Sequence, residues 1–158
     1  MSTTLKVSPV VAGCWRMAEW GWSALETARW IGQAIERGAT SFDHADIYGG
    51  YQCEALFGAA LALAPELRQH MQLISKCGIQ LVHPARPGHR LKAYDTSAAH
   101  IAASVDNSLR ALGTDHLDLL LIHRPDALLD AAEVAATFGR LRTAGKVRAF
   151  GVSNFTPS

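Results

Sequence analysis

Leu117-Asp-Leu-Leu-Leu-Ile-His123 decides the fold of this chain: a near-continuous apolar run of strand length that ends on a histidine. A strand exposed on one face alternates apolar and polar residues, whereas an unbroken apolar run marks a parallel strand covered on both. The same form, an apolar run closed by a polar group, recurs on either side of it. It stands in Ser41-Phe-Asp-His-Ala-Asp-Ile-Tyr48, in Leu73-Ile-Ser-Lys76 and in Gly151-Val-Ser-Asn154. Asp43, Tyr48, Lys76 and His123 therefore each close or follow a strand, which predicts one proton-donating site at one end of a sheet.

Helical patterns fill the intervals. Ser23-Ala-Leu-Glu26 reads as a capping box, followed by Ile31, Ala34 and Ile35 and a stop at Gly38, so a first helix is expected from about Ala24 to Arg37. A second runs from about Cys53, with Leu56, Phe57, Ala60 and Leu61 on one face, until Pro65. Thr96 or Ser97 can cap a third, carrying Ile101, Val105, Leu109 and Leu112 to Gly113. Asp130-Ala-Ala-Glu133 resembles another capping box, opening a fourth helix that ends at Gly145. With strands at Pro9 to Trp15, Thr40 to Asp43, Gln72 to Lys76, Leu117 to Ile122 and Val147 to Val152, the count is five strands and four helices. The stretch from Gly78 to Asp95, with Pro84, Pro87 and Gly88, reads as a loop bordering the site.

Alternating strands and helices imply right-handed crossovers and a parallel α/β sheet, open or closed. An open nucleotide-binding sheet places a glycine-rich phosphate loop at its first crossover, yet Trp15 is followed by Arg-Met-Ala-Glu-Trp-Gly-Trp22. Polar groups at the ends of several successive strands are the habit of the (β/α)8 TIM barrel.

The chain has 158 residues, 49% hydrophobic and 18% charged, and a formal charge of +1, without a basic stripe. This is globular material with no mark of a nucleic-acid or membrane partner, and a small substrate fits better. The apolar run Val10–Trp15 is too short for a signal peptide, and no stretch approaches the ~18 residues of a membrane span, so a cytoplasmic protein is expected. Cys14, Cys53 and Cys77 are odd in number and far apart, which indicates neither disulfides nor a zinc site.

Phe42-Asp-His-Ala-Asp-Ile-Tyr-Gly49, Ile74-Ser-Lys76, Leu119-Leu-Leu-Ile-His123 and Gly145-Lys-Val-Arg-Ala-Phe-Gly-Val-Ser-Asn-Phe155 together resemble the signatures of the aldo-keto reductases. The likeness runs from about Val10 to the end. The wider phrasing, including Tyr48-Gly-Gly-Tyr-Gln-Cys-Glu54 and His123-Arg-Pro-Asp126, resembles the bacterial YdhF-type oxidoreductases of that family. The resemblance implies a (β/α)8 barrel that reduces aldehydes and ketones with NADP(H) and uses no metal. It makes Tyr48 the general acid, Lys76 its activating neighbour, Asp43 the partner of that lysine and His123 the residue that orients the carbonyl. Ser153 and Asn154 match the pair that holds the nicotinamide carboxamide, with Asp43 also on the cofactor side.

The chemistry agrees with those roles. Hydride addition to a carbonyl builds charge on oxygen, so a donor must deliver a proton there; a phenol does so sluggishly unless a neighbouring ammonium stabilises the phenolate. A carboxylate such as Asp43 would keep that ammonium charged, and a histidine can donate to the carbonyl oxygen. His44 beside Asp43 and Asp46 is too thin a set for a metal. Trp20 and Trp22, in the loop after the first strand, are expected to form an apolar pocket wall, with Trp15 divided between wall and core; Trp30 reads as packing. Cys53 and Cys77 read as inert small hydrophobes, and Asp46 and Glu54 as solvated or supporting groups.

A complete barrel takes about 250 residues. The sequence therefore predicts that residues 1–158 are the N-terminal part of one barrel domain, its C-terminal strands missing. The ending Thr156-Pro157-Ser158 resembles a helix start. Such a piece alone is expected to be inactive, to bind NADPH weakly or not at all, and to self-associate through its open edge. Two other readings compete: a half-barrel interaction module without catalysis, and a lyase using Lys76 as a Schiff base.

Overall fold

The structure is a computed structural model and describes residues 5–156, so Pro157 and Ser158 of the expected helix start lie outside the described residues. In chain order the elements are β1 (Val11–Gly13), α1 (Ala24–Glu36), β2 (Ser41–Asp43), α2 (Cys53–Leu63), β3 (Gln72–Cys77), β4 (Ile79–Gln80), β5 (Ala93–Tyr94), α3 (Ala98–Leu112), β6 (Leu117–Ile122), α4 (Ala131–Thr143) and β7 (Val147–Val152). Five strands form one sheet in the order β1-β2-β3-β6-β7, and every neighbouring pair is parallel. Sequential parallel strands joined by helices are the repeating unit of the barrel.

The helix caps act as their residue types dictate. Ser23 accepts from the Glu26 amide while the Glu26 carboxylate returns to the Ser23 amide, completing the box. Ser97 caps α3 by accepting from the His100 amide, and Gly113 closes that helix in the left-handed conformation at φ 65°. Asp130 caps α4 through the amides of Ala132 and Glu133. The second half of that expected box is not made, because Glu133 Oε1 accepts instead from the Ala98 amide at 2.8 Å, tying the start of α3 to the start of α4.

Strand register sorts the side chains. Phe42 pairs with Leu73, and Cys77 with Ile122, on the face the helices cover; these four are fully buried and pack with Phe57 of α2 and Ile101 and Val105 of α3. The other face carries Asp43 opposite Ile74 and Lys76 opposite Leu121. Here β6 departs from the expectation of burial on both sides: Leu119 and Leu121 are only half-buried, since five strands do not close around them.

Two segments differ from the sequence reading. The loop from Gly78 to Asp95 contains the antiparallel pair β4–β5, whose two-residue strands are too short to leave an alternating pattern. Ahead of α2, the helical turn Tyr48–Tyr51 takes left-handed angles at Gly49 (φ 59°), Gly50 (φ 64°) and Tyr51 (φ 67°). Two adjacent glycines permit that turn at little steric cost.

Candidate active site

The sheet ladder continues past the strand ends and fixes the backbone of the residues that follow. His44 N–H donates to Ile74 O, Asp46 N–H to Lys76 O, His123 N–H to Cys77 O and Ser153 N–H to Ile122 O, at 2.8 to 3.1 Å. Asp43, Tyr48, Lys76, His123, Ser153 and Asn154 consequently gather at the C-terminal edge of the sheet and line one cavity of about 730 Å³.

Lys76 is the hub. Its Nζ donates to both carboxylate oxygens of Asp43 at 2.7 Å, to the His44 carbonyl at 2.9 Å and to Tyr48 Oη at 2.9 Å. An ammonium has three protons, so these four contacts occupy all of them, with one proton shared. The Lys76 side chain is 8% exposed and that of Asp43 28%. His123 stands across from Tyr48, ring centroids 5.8 Å apart and nearly perpendicular. Burial, with the nearby charges of Lys76 and Arg124, pushes the His123 pKa down to about 4, so its imidazole is neutral at pH 7. At the edge of the cavity Asn154, left-handed at φ 64°, donates from Nδ2 to the His123 carbonyl at 3.2 Å and to Ser153 Oγ at 2.8 Å.

The three tryptophans expected as a pocket wall separate. Trp15 lines the cavity. Trp20 and Trp22 are not among its lining residues: left-handed Gly21 folds their rings together at 4.6 Å, and both pack on Trp30 of α1 at 5.1 and 6.1 Å, as an apolar cap on the helix layer. The rest of the wall comes from residues that sequence reasoning did not name, Glu19, Ile47, Ile79, Leu81, Lys92, Tyr94 and Arg124 among them. The signal for Ile79, Leu81, Lys92 and Tyr94 was the position of the loop containing β4 and β5, whereas Glu19, Ile47 and Arg124 follow the ends of β1, β2 and β6.

Behind the site lie buried polar groups. Asp46 is not solvated: it accepts from Ser104 Oγ at 2.5 Å, and burial pushes its pKa up to about 7. Glu54 is also buried, accepts from Ser75 Oγ at 2.6 Å and from Ser108, and is raised by burial. His44 is wholly buried edge-on to Phe57, neither ring nitrogen having a partner among the described residues, and burial lowers its pKa to about 3. Cys14, Cys53 and Cys77 are buried free thiols, their pKa values raised chiefly by desolvation. Among the described residues no three His, Cys, Asp or Glu side chains converge to hold a metal, and no helix is long and apolar enough to cross a membrane.

Comparison with known proteins gives the same outline. The chain is 54% identical to the uncharacterized oxidoreductase YcsN of Bacillus subtilis over 98% of its own length and 52% of that protein's. It is 54% identical to the oxidoreductase YdhF of Escherichia coli over 96% and 50%, and 46% identical to a 6-dehydroglucose reductase of Agrobacterium fabrum over 99% and 53%. The chain thus spans about half the length of the curated relatives it matches. Among solved structures, the glycerol dehydrogenase of Gluconobacter oxydans superimposes with a TM-score of 0.81 at 31% identity, covering 99% of this chain and 47% of that one. An aldo/keto reductase of Klebsiella pneumoniae, in complex with NADP and acetate, superimposes at 0.72 and 28% identity, covering 95% and 47%. The five parallel strands are accordingly part of a TIM barrel, and with the aldo/keto reductase family model matching residues 9–158, the chain belongs to the aldo/keto reductase family.

Proposed function

We propose that these residues form the proton-donating part of an NADP(H)-dependent oxidoreductase that reduces an aldehyde or ketone to an alcohol. The observation that carries this reading is the 2.9 Å contact between Lys76 Nζ and Tyr48 Oη, made inside a cavity that also holds a neutral His123. A neutral imidazole can donate a hydrogen bond to a carbonyl oxygen and direct it, but has no spare proton to lose at pH 7. That leaves Tyr48 as the acid, with Lys76 stabilising its phenolate and Asp43 holding Lys76 in place.

The residues present fit the nicotinamide end of the cofactor. The Asn154 side chain spends its amide donor on His123 and Ser153, which leaves its carbonyl and the Ser153 hydroxyl for a carboxamide. The bound cofactor would supply hydride to the carbonyl carbon, while Asp43, Ser153 and Asn154 hold its position. Trp15 would give the substrate an apolar wall.

The Schiff-base alternative fares worse, because an attacking lysine needs a free lone pair and all three Lys76 protons are engaged. We further propose that residues 1–158 are the N-terminal part of a single barrel domain whose remaining strands pair along β1 and β7. Alone, the chain should then bind NADPH weakly, show negligible turnover and self-associate through those edges. The deciding experiment is NADPH consumption with a panel of aldehydes and ketones, by a protein carrying these residues at the length of its relatives. Cofactor binding without reduction of any carbonyl would overturn the assignment.

A further inference from the structure

Tyr51 lies three residues after Tyr48 in the left-handed turn, and its φ of 67° is rare for a bulky side chain. Such a conformation is strained and persists only where contacts over-determine it. Those contacts converge on one segment, residues 81–92 between β4 and β5. Tyr51 Oη accepts from the Leu81 amide at 2.9 Å, lies 3.5 Å from the Leu81 carbonyl and is 3.3 Å from His89 Nδ1. Its ring stands 5.7 Å from that of His83 and carries the Arg86 guanidinium at 4.7 Å. Gly50 belongs to the same junction, since a Cβ there would come within 2.7 Å of His83 Nε2.

Among the described residues, little else holds the middle of that segment besides a ring contact of His89 with His100 of α3 at 6.4 Å. Its other side-chain and turn hydrogen bonds are internal: Arg86 N–H to His83 O, His89 N–H to Arg86 O and Ala85 N–H to His83 Nδ1. Val82 and Leu91 are more than 60% exposed. A space of about 120 Å³, lined by Tyr51, Arg86, His89 and Asp46 among others, separates it from α3. Yet the segment supplies Leu81 and Lys92 to the wall of the 730 Å³ cavity, flanked by Ile79 and Tyr94.

We infer that Tyr51 is a positioning residue that latches the 81–92 segment to the turn bearing Tyr48 and so sets the substrate-facing wall of the cavity. The latch itself stands on geometry alone; its effect on substrate rests on the reductase reading above.

Tyr51→Phe keeps the ring contacts and removes the hydroxyl. Trypsin should then cut this chain after Arg90 or Lys92 about tenfold faster, as expected when one part-buried hydrogen bond is lost and cleavage tracks the open population. Cutting after Arg110 and Arg140 should not change. Hydrogen exchange at the Leu81 amide should be slow in the parent chain and fast in the variant. In the protein at the length of its relatives, KM for the carbonyl should rise several-fold while kcat and the KM for NADPH stay within about twofold. Unchanged cutting, or a parent Leu81 amide that exchanges like a free peptide, would overturn the latch, and the exchange measurement holds even if the variant fails to fold. A loosened segment with an unaltered carbonyl KM would overturn the wall role. Absence of any carbonyl reduction in the parent would count against the reductase reading and leave the proteolysis and exchange results standing.

Discussion

Lys76 touches Tyr48 in two ways: Nζ donates to the phenolic oxygen at 2.9 Å and lies 4.8 Å from the centre of its ring. Because Oη accepts from the lysine, its own proton is left to point elsewhere, and Tyr48 lines the cavity shared with His123. This is the arrangement an acid needs, charge support on one side and a deliverable proton on the other.

Tyr48→Phe, in the protein at the length of its relatives, should lower carbonyl reduction by about 10²–10⁴-fold, the usual cost of removing a general acid. NADPH affinity should hold, because Ser153 and Asn154 are untouched. Steady-state reduction of a test aldehyde with a parallel cofactor titration measures both, and near-normal turnover would remove Tyr48 from the role.

Lys76→Met should be as damaging to turnover, and should also destabilise. It strips Asp43 of its partner and the His44 carbonyl of a donor. Breaking a fully buried pair typically costs about 3–5 kcal/mol, but Asp43 keeps 28% of its side chain exposed, so water recovers part of that. Turnover and urea midpoints read the two effects. Full activity with a lowered midpoint would reduce Lys76 to a structural ion pair.

The elements legible in advance were those with a local signature. The Ser23/Glu26 box, Gly113 in its left-handed cap and the apolar run Leu117–Ile122 each state their structure within a few residues. Asp43, Lys76 and His123 were legible because strand ends in a parallel sheet share an edge. What escaped depends on partners distant in sequence: Glu133 reaches the Ala98 amide 35 residues away, Asp46 bonds Ser104 58 residues away, and Trp20 and Trp22 turn onto Trp30 rather than the cavity. Asp118 is the plainest case. Inside an apolar run it gave no hint that Arg68, Arg148 and the Leu73 amide would converge on its carboxylate.

Gly58→Ala should be among the most destabilising single-methyl changes in the chain. A Cβ at this position of α2 would meet the Ala111 carbonyl oxygen of α3 at 2.0 Å, and a backbone atom cannot rotate aside. Overpacking of this kind costs about 1–3 kcal/mol and sometimes more, and here the two helices would have to separate. A thermal melt of the variant decides it; a midpoint within a degree or two of the parent would mean that the helix contact is softer than it looks.

Stability should fall in acid, and the buried titratable groups near the site set the shape of that fall. His44 and His123 have folded pKa values of about 3 and about 4, against 6.5 for an ordinary histidine. Between those limits the unfolded chain binds more protons, so stability is lost as pH drops from 6.5 towards 3–4. Asp46 works in the opposite sense: its pKa is raised from 3.8 to about 7, the folded state binds more protons in that window, and its contribution is lost as pH rises towards 7. His100, also lowered by burial, adds to the acid loss of the two histidines, while Glu54, also raised by burial, joins Asp46 in masking part of it. Two variants separate the contributions. His44→Leu replaces a ring with two unpartnered nitrogens by a side chain that cannot be protonated, so it should flatten the loss below pH 6.5. Asp46→Asn fixes the neutral form; it should match the parent at and below about pH 4, gain on it as pH rises until it is more stable at about pH 8, and be steeper in its acid loss. Urea midpoints across that range measure all three curves. A parent whose advantage over Asp46→Asn grows with pH would show that Asp46 is held as a carboxylate, and the sign of its role would be reversed.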